Sequence, residues 1–191
     1  TFPYVSRILL PEGTGKVSFA TSVVSYFAMF AQLGIPTYGI RACAKIRDNR
    51  EKLTKTVQEL FIINFTMSLI AYVALFGAIA LVPRLQQDKS LFLIVSLTIL
   101  FNAIGMEWLY KALEQYTYIT IRSIIFKFIA LVAMFALIHQ KSDYVIYGGI
   151  SILAASASNI FNFFHVHKYV SLKPVGNYNF KQHFNAVAVY F

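Results

Sequence analysis

The sequence predicts an all-α protein, a polytopic transmembrane helical bundle, and three features carry that prediction: composition, the length of the apolar runs and the placement of the basic residues. Of 191 residues, 58% are hydrophobic and 13% are charged. Soluble domains lie nearer half apolar and a quarter charged, so hydrocarbon is the better-matched solvent. A helix needs about 20 apolar residues to cross the hydrocarbon core, because each residue rises only about 1.5 Å. Five windows meet that requirement in succession, at 17–40, 57–82, 91–110, 119–139 and 144–167. The net charge of +9 raises the question of nucleic acid, but the cations sit in short connections instead of covering one surface. The lipid bilayer is the partner that this placement fits, and no nucleic acid is expected.

Taken in order, "TFPYVSRILL" reads as the end of a partial first helix, and "PEGTGK" as the connection to the first complete span. Ser18, Thr21, Ser25, Ala28 and Gln32 recur at three- and four-residue steps, which predicts a small, polar face on the span at 17–40. "QLGIPTYGIR" predicts a break near the membrane surface, because Pro36 removes a backbone donor and Gly34 and Gly39 loosen the helix around it. The span at 57–82 carries the same kind of face in Asn64, Ser68, Ala71 and Ala78, and Pro83 ends it. The span at 144–167 repeats it with Gly148, Ser151, Ala155, Ser158, Asn162 and His165. Close helix packing explains the Ser, Ala and Gly positions. Gln32, Asn64, Asn159 and Asn162 fit a wet cavity equally well, since amides have more donors and acceptors to satisfy.

The segment "GMEWLYKALEQYTYITIRSIIFKF" holds the remaining ionisable candidates. Glu107, Lys111 and Glu114 fall within about 60° on a helical wheel, and Glu107 to Lys111 has the favourable order for a helical ion pair. A solvated helix end accounts for them, and a gate or coupling role for Glu107 is the alternative. Arg122 opens the fourth span, where its side chain either reaches the headgroups or lines a cavity. Lys127 lies deeper in the same span, and a cavity-facing cation for an anionic substrate is the sharper of its two readings. His165 and His167 sit at a span end, where solvation suffices. No catalytic residue, metal-ligand spacing or cofactor motif emerges, so none is assigned.

Orientation follows the positive charges. Segments 41–55, 111–122 and 168–181 hold eleven of the 17 basic residues and fall on one side; Arg7, Lys16, Arg84, Lys89 and Lys141 fall on the other. The richer side is expected in the cytoplasm. Cys43, the single cysteine, lies beside that basic cluster and fits a reduced, small interfacial residue. The N-terminus lacks Met and a signal-peptide pattern, and the chain stops within "FNAVAVYF", so an internal piece of a longer membrane protein is expected.

"RILLPEGTGKVSFATSVVSYFAMFAQLGIPTYGIRACAKIRDNREKLTK", "GMEWLYKALEQYTYITIRS" and "NIFNFFHVHKYV" together resemble the polysaccharide (O-antigen or capsule repeat-unit) flippases, Wzx-type members of the multidrug/oligosaccharidyl-lipid/polysaccharide exporter superfamily. The resemblance runs over nearly the whole chain. It implies a multi-pass protein of the bacterial inner membrane, built as two helical bundles around a cavity. Its substrate would be undecaprenyl-diphosphate-linked oligosaccharide, moved by alternating access, with other polysaccharide assembly proteins as further partners. Residues 1–183 would then be most of the N-terminal bundle and 184–191 the start of the next helix. Arg122 and Lys127 are the cations that the resemblance places against a diphosphate. Where relatives often carry an acidic residue after the arginine of "GIR", this chain has Ala42. A drug or metabolite exporter of the same superfamily is the nearest alternative and would favour cavity acids. A polyprenyl-phosphate sugar transferase or polymerase is the other; it would need clustered carboxylates, whereas Asp48, Asp88 and Asp143 fall in three separate loops.

Overall fold

A computed structural model describes residues 2–190; Thr1 and Phe191, the two ends of the segments expected to begin and close the chain, lie outside the described residues. The described residues are helical with no strand. Helix α1 (Phe2–Gln32) is broken at Leu10, with φ 57° and ψ 173° just before Pro11, and a second break separates it from the short α2 (Ile35–Ala44). The others are α3 (Arg50–Leu81), α4 (Pro83–Gln86), α5 (Lys89–Gly105), α6 (Glu107–Ala112), α7 (Tyr116–Leu137), α8 (Tyr144–Ile152), α9 (Asn159–His165) and α10 (Phe180–Tyr190). Among the described residues, four stretches are long and apolar enough to cross a membrane: Pro3–Ala44, Arg50–Leu81, Tyr116–Leu137 and Lys141–Lys168. With the apolar Lys89–Gly105 between them, they make the chain a multi-pass membrane protein and a polytopic helical bundle.

Local chemistry accounts for the helix ends. Asn49 caps α3 by accepting a hydrogen bond from the Lys52 amide at 3.0 Å, and Pro83 opens α4 where its missing N–H costs nothing. Asp143 accepts from the His139 and Gln140 amides at 2.9 and 2.8 Å, closing the turn that leads into α8. The α1–α2 break lies at Leu33 and Gly34, both left-handed with φ of 46° and 72°, and Pro36 falls in the first turn of α2. It is therefore the residues before the proline that depart from the helix, and the proline restarts it. Gly39 does not loosen α2. It admits the Trp108 ring, to which an added Cβ would approach within 2.7 Å.

Two apolar cores stack along the bundle among the described residues, and a third, smaller one lies beside them. One joins Val17, Ala20, Val24, Ala28 and Ala31 of α1 to Ala71, Leu75 and Ile79 of α3 and to Leu91, Phe92, Val95 and Ile99 of α5. The other joins Ile35 and Cys43 of α2 to Leu53, Val57 and Leu60 of α3 and to Trp108, Leu109 and Ala112 of α6. Helix α7 stands mostly outside both, touching α1 and α8 through Ala130, Val5, Leu9 and Ile150. Helix α3 alone runs unbroken through both cores, and its Asn64 and Ser68 mark the level where one gives way to the other.

At the first core's end, Asp88 accepts from Tyr144 Oη at 2.8 Å and pairs with Lys16 at 3.5 Å. At the other end Arg47 meets Glu114 at 2.9 Å and Tyr169 donates to Gln115 at 3.2 Å. Connections predicted to share a side are thus in contact with one another.

Candidate functional site

A cavity of about 240 Å³ opens at the level where the two cores meet. Four amides line it, Gln32 of α1, Asn64 of α3, Asn102 of α5 and Asn159 of α9. Pro36 and Ile40 of α2 and Trp108, Glu107 and Lys111 of α6 complete the wall. Three of its helical lines lose regular geometry at this level. The first is the Leu33–Gly34 break. The second is Met106, whose φ of 42° and ψ of 39° separate α5 from α6. The third is a π turn at Leu153–Ala157 between α8 and α9. Irregular backbone at bilayer depth is tolerated where protein or a cavity satisfies the freed polar groups.

The α5–α6 break shows that compensation. Asn162 donates from Nδ2 to the Gly105 carbonyl at 2.7 Å, and Tyr110 donates from Oη to the Asn162 carbonyl at 2.6 Å. Asn159 donates to Asn102 at 3.3 Å. Gly105 is required at this crossing, because an added Cβ would lie 2.5 Å from the Asn159 Cβ. The π turn resets the register of the following helix, so that Ser156, Ala157, Ser158 and Asn159 are buried consecutively while Ala155 is exposed. The face expected through Ser151, Ala155 and Ser158 therefore breaks at Ala155.

Glu107 bridges two cations: Oε1 lies 2.8 Å from Lys111 Nζ and Oε2 lies 3.3 Å from Arg122 Nη2. Arg122 is 6% exposed, and its guanidinium lies 5.7 Å from the Tyr118 ring centre. Glu114 does not join this group. Helix α6 ends before it, its φ is 57°, and it pairs with Arg47 instead. Several buried polar atoms are unpartnered: Oδ1 of Asn64, Asn159 and Asn162, Nε1 of Trp108, and Nε and Nη1 of Arg122. These atoms are enclosed by the surrounding helices near the level of the cavity.

Of the residues singled out from sequence, the cavity brings together Gln32, Asn64, Asn159 and Glu107. Asn162 and Arg122 lie immediately behind them, tied to Gly105 and Glu107. Lys127 stands exposed on α7 and is not part of the lining. Five positions separate it from Arg122, which turns it about 140° around the helix. Ser18, Thr21 and Ser25 are exposed on α1, which buries its neighbouring Val17, Ala20 and Val24 stripe instead. Asn102 and Trp108 were missed in the sequence. Asn102 was the detectable one, a lone amide within an apolar run.

A family model described as "Polysaccharide biosynthesis protein" matches residues 1–188. The chain belongs to this family. The resemblance to polysaccharide flippases carried by the quoted motifs agrees with it. Among relatives, the chain is 26% identical over 148 residues to the "Putative O-antigen transporter" of Escherichia coli (strain K12), covering 78% of this chain. The chain spans about a third of that relative's length, the match covering 36% of it. No solved structure matches the chain.

Proposed function

We propose that this bundle is the N-terminal part, over residues 1–183, of a bacterial inner-membrane transporter. In this reading it is not an enzyme, and it passes undecaprenyl-diphosphate-linked oligosaccharide across the membrane by alternating access. The observation that carries the proposal is the cavity's chemistry. Gln32, Asn64, Asn102 and Asn159 surround it, with Trp108 beside them. Such groups cost stability at bilayer depth unless a polar occupant meets them. A sugar both donates and accepts through its hydroxyls and presents an apolar ring face to an indole. At about 240 Å³ the cavity falls below the several hundred Å³ typical of whole-ligand sites, so this part of the chain would hold one portion of a headgroup.

The charges favour this substrate over the cationic one of a drug exporter. Glu107 is the carboxylate in the lining, and both of its oxygens are met by cations. Glu107 is proposed as the gate, since it joins α6 to α7 beside the cavity. Lys127, outside the lining, is proposed to meet acidic parts of the substrate from the outer face of α7.

The test uses the full-length protein in a strain lacking its own copy, with surface polysaccharide as readout and membrane abundance as control. Asn64→Leu and Asn159→Leu remove the amides while keeping size. Expected is a loss of export of about tenfold or more at normal abundance, the scale of one or two lost polar contacts. Normal export by both variants, at normal abundance, would overturn the assignment of the cavity.

A further inference from the structure

An extended polar cluster outside the cavity lies where α3 meets the connector to α10. Residues 169–179 have little regular structure, and side chains of α3 serve their backbone. Thr54 Oγ1 accepts from the Ser171 amide at 3.2 Å. Gln58 donates to the Ser171 and Lys173 carbonyls at 2.9 and 2.8 Å, and accepts from the Val175 amide at 3.2 Å and Tyr178 Oη at 2.8 Å. Glu59, fully buried, accepts from the Asn179 amide at 2.7 Å and lies 2.7 Å from His183 Nε2. The other nitrogen of His183 is 2.9 Å from Tyr38 Oη. His183, itself 3% exposed, therefore ties α10 to α3 on one side and to α2 on the other.

Helix α2 is placed to respond to that tie. Leu33, a non-glycine residue at φ 46°, and Gly34 at φ 72° leave no helical hydrogen-bond ladder between α1 and α2. Opposite Tyr38, the same short helix gives Pro36 and Ile40 to the cavity wall and lays Gly39 against Trp108. It is thus a rung with α10 on one side and the cavity on the other, jointed at one end.

We propose that α10 is a handle on α2: a displacement of α10 passes through His183 and Tyr38, turns α2 about Leu33–Gly34, and changes access to the amide cavity. The inference rests on the reading of that cavity as the transport path. The link itself is mechanical and can be measured without transport.

Hydrogen exchange by mass spectrometry on the purified full-length protein tests it. Tyr38→Phe and His183→Ala are each expected to speed exchange within residues 35–44 by about fivefold, the change in opening equilibrium that one lost hydrogen bond brings. Helix α7 should keep its wild-type rate, which controls for general unfolding. Gln58→Ala should loosen residues 171–178 and leave α2 unchanged. Unaltered α2 exchange in both Tyr38→Phe and His183→Ala would overturn the link, and so would an equal rise in α2 caused by Gln58→Ala. The cavity arm places a reporter at Ile40→Cys with Cys43→Ser and any other cysteines removed, labelled by a water-soluble maleimide. His183→Ala should change the labelling rate several-fold; an unchanged rate overturns the handle even where α2 loosens. Export by the Asn64 and Asn159 variants judges the transport reading separately, so the two can fail independently.

Discussion

The two stacked cores differ in how their helices keep regularity. In the first, the stretches of α1, α3 and α5 that form the core pack small and branched residues, Ala20, Val24, Ala71, Leu75 and Val95, with helical geometry intact. In the second, α3 still runs unbroken but its partners α2 and α6 are short pieces of ten and six residues, set off by Gly34 and Met106, and the seven-residue α9 beside them follows the π turn. Short helices have little stability of their own, so the second core depends on side chains that replace missing ladder bonds. Asn162 acts in that way at the Gly105 carbonyl, and Gln58 and Glu59 do the same for the irregular 171–179 connector. Regular packing gives the first core rigidity; the jointed core has parts that can move against one another, with the amide cavity at the boundary.

Glycine substitutions separate the two regions most sharply. Gly105→Leu places a side chain where even a Cβ would be 2.5 Å from Asn159, and overpacking of this kind costs about 1–3 kcal/mol or more. The α5–α9 crossing should fail, seen as lost membrane abundance or a fall of many degrees in Tm in detergent. Gly77 in α3 has no neighbouring atom within 4 Å of an added Cβ. Gly77→Ala should be neutral or raise stability by about 0.5–1 kcal/mol through helix propensity. Equal effects of the two changes would erase the distinction between jointed and regular halves.

Next in size is Asn162→Leu, which leaves the Gly105 carbonyl unpartnered at the break. A buried acceptor without its donor costs about 1–3 kcal/mol. The matching change in the first core, Ser96→Ala, removes a hydroxyl that donates to the Leu93 carbonyl of its own helix. It should cost well under 1 kcal/mol, because that carbonyl retains its helical environment. Thermal unfolding of both variants measures the difference, and a Ser96→Ala cost as large as that of Asn162→Leu would contradict it.

How legible each region was in the sequence follows the same division. Of the face expected through Asn64, Ser68, Ala71 and Ala78, the first three are buried and Ala78 is half-buried, because α3 never leaves the 3.6-residue period. The Glu107–Lys111 pair was legible for the same reason, as both lie within one turn of α6. Glu114 and Ala155 were misplaced because a periodic template continues through a positive φ or a π turn that carries no residue signal. Met106 has no glycine or proline character, yet it is the break. On α1 two neighbouring stripes compete, and the burial of Val17, Ala20 and Val24 leaves Ser18, Thr21 and Ser25 outside. The Glu59–His183 pair unites residues 124 positions apart. An acid so near the start of an apolar run was its one visible trace.

The last comparison lies within α7, between a cation turned into the bundle and one turned away. Arg122 is buried against Glu107 and Tyr118, so Arg122→Ala removes an ion pair and packing together and should lower both abundance and export. Lys127 is exposed, and its ammonium has no role in the cavity wall. Lys127→Ala should therefore leave abundance and Tm as they are. If Lys127 meets acidic substrate groups from the outer face, Lys127→Ala lowers surface polysaccharide several-fold and Lys127→Arg restores it, because a positive charge at that depth is the property in use. Normal export by a fully abundant Lys127→Ala protein would assign the lysine to the headgroup region, reached by its flexible stem, and leave Arg122 as the cation of α7 that bears on the cavity.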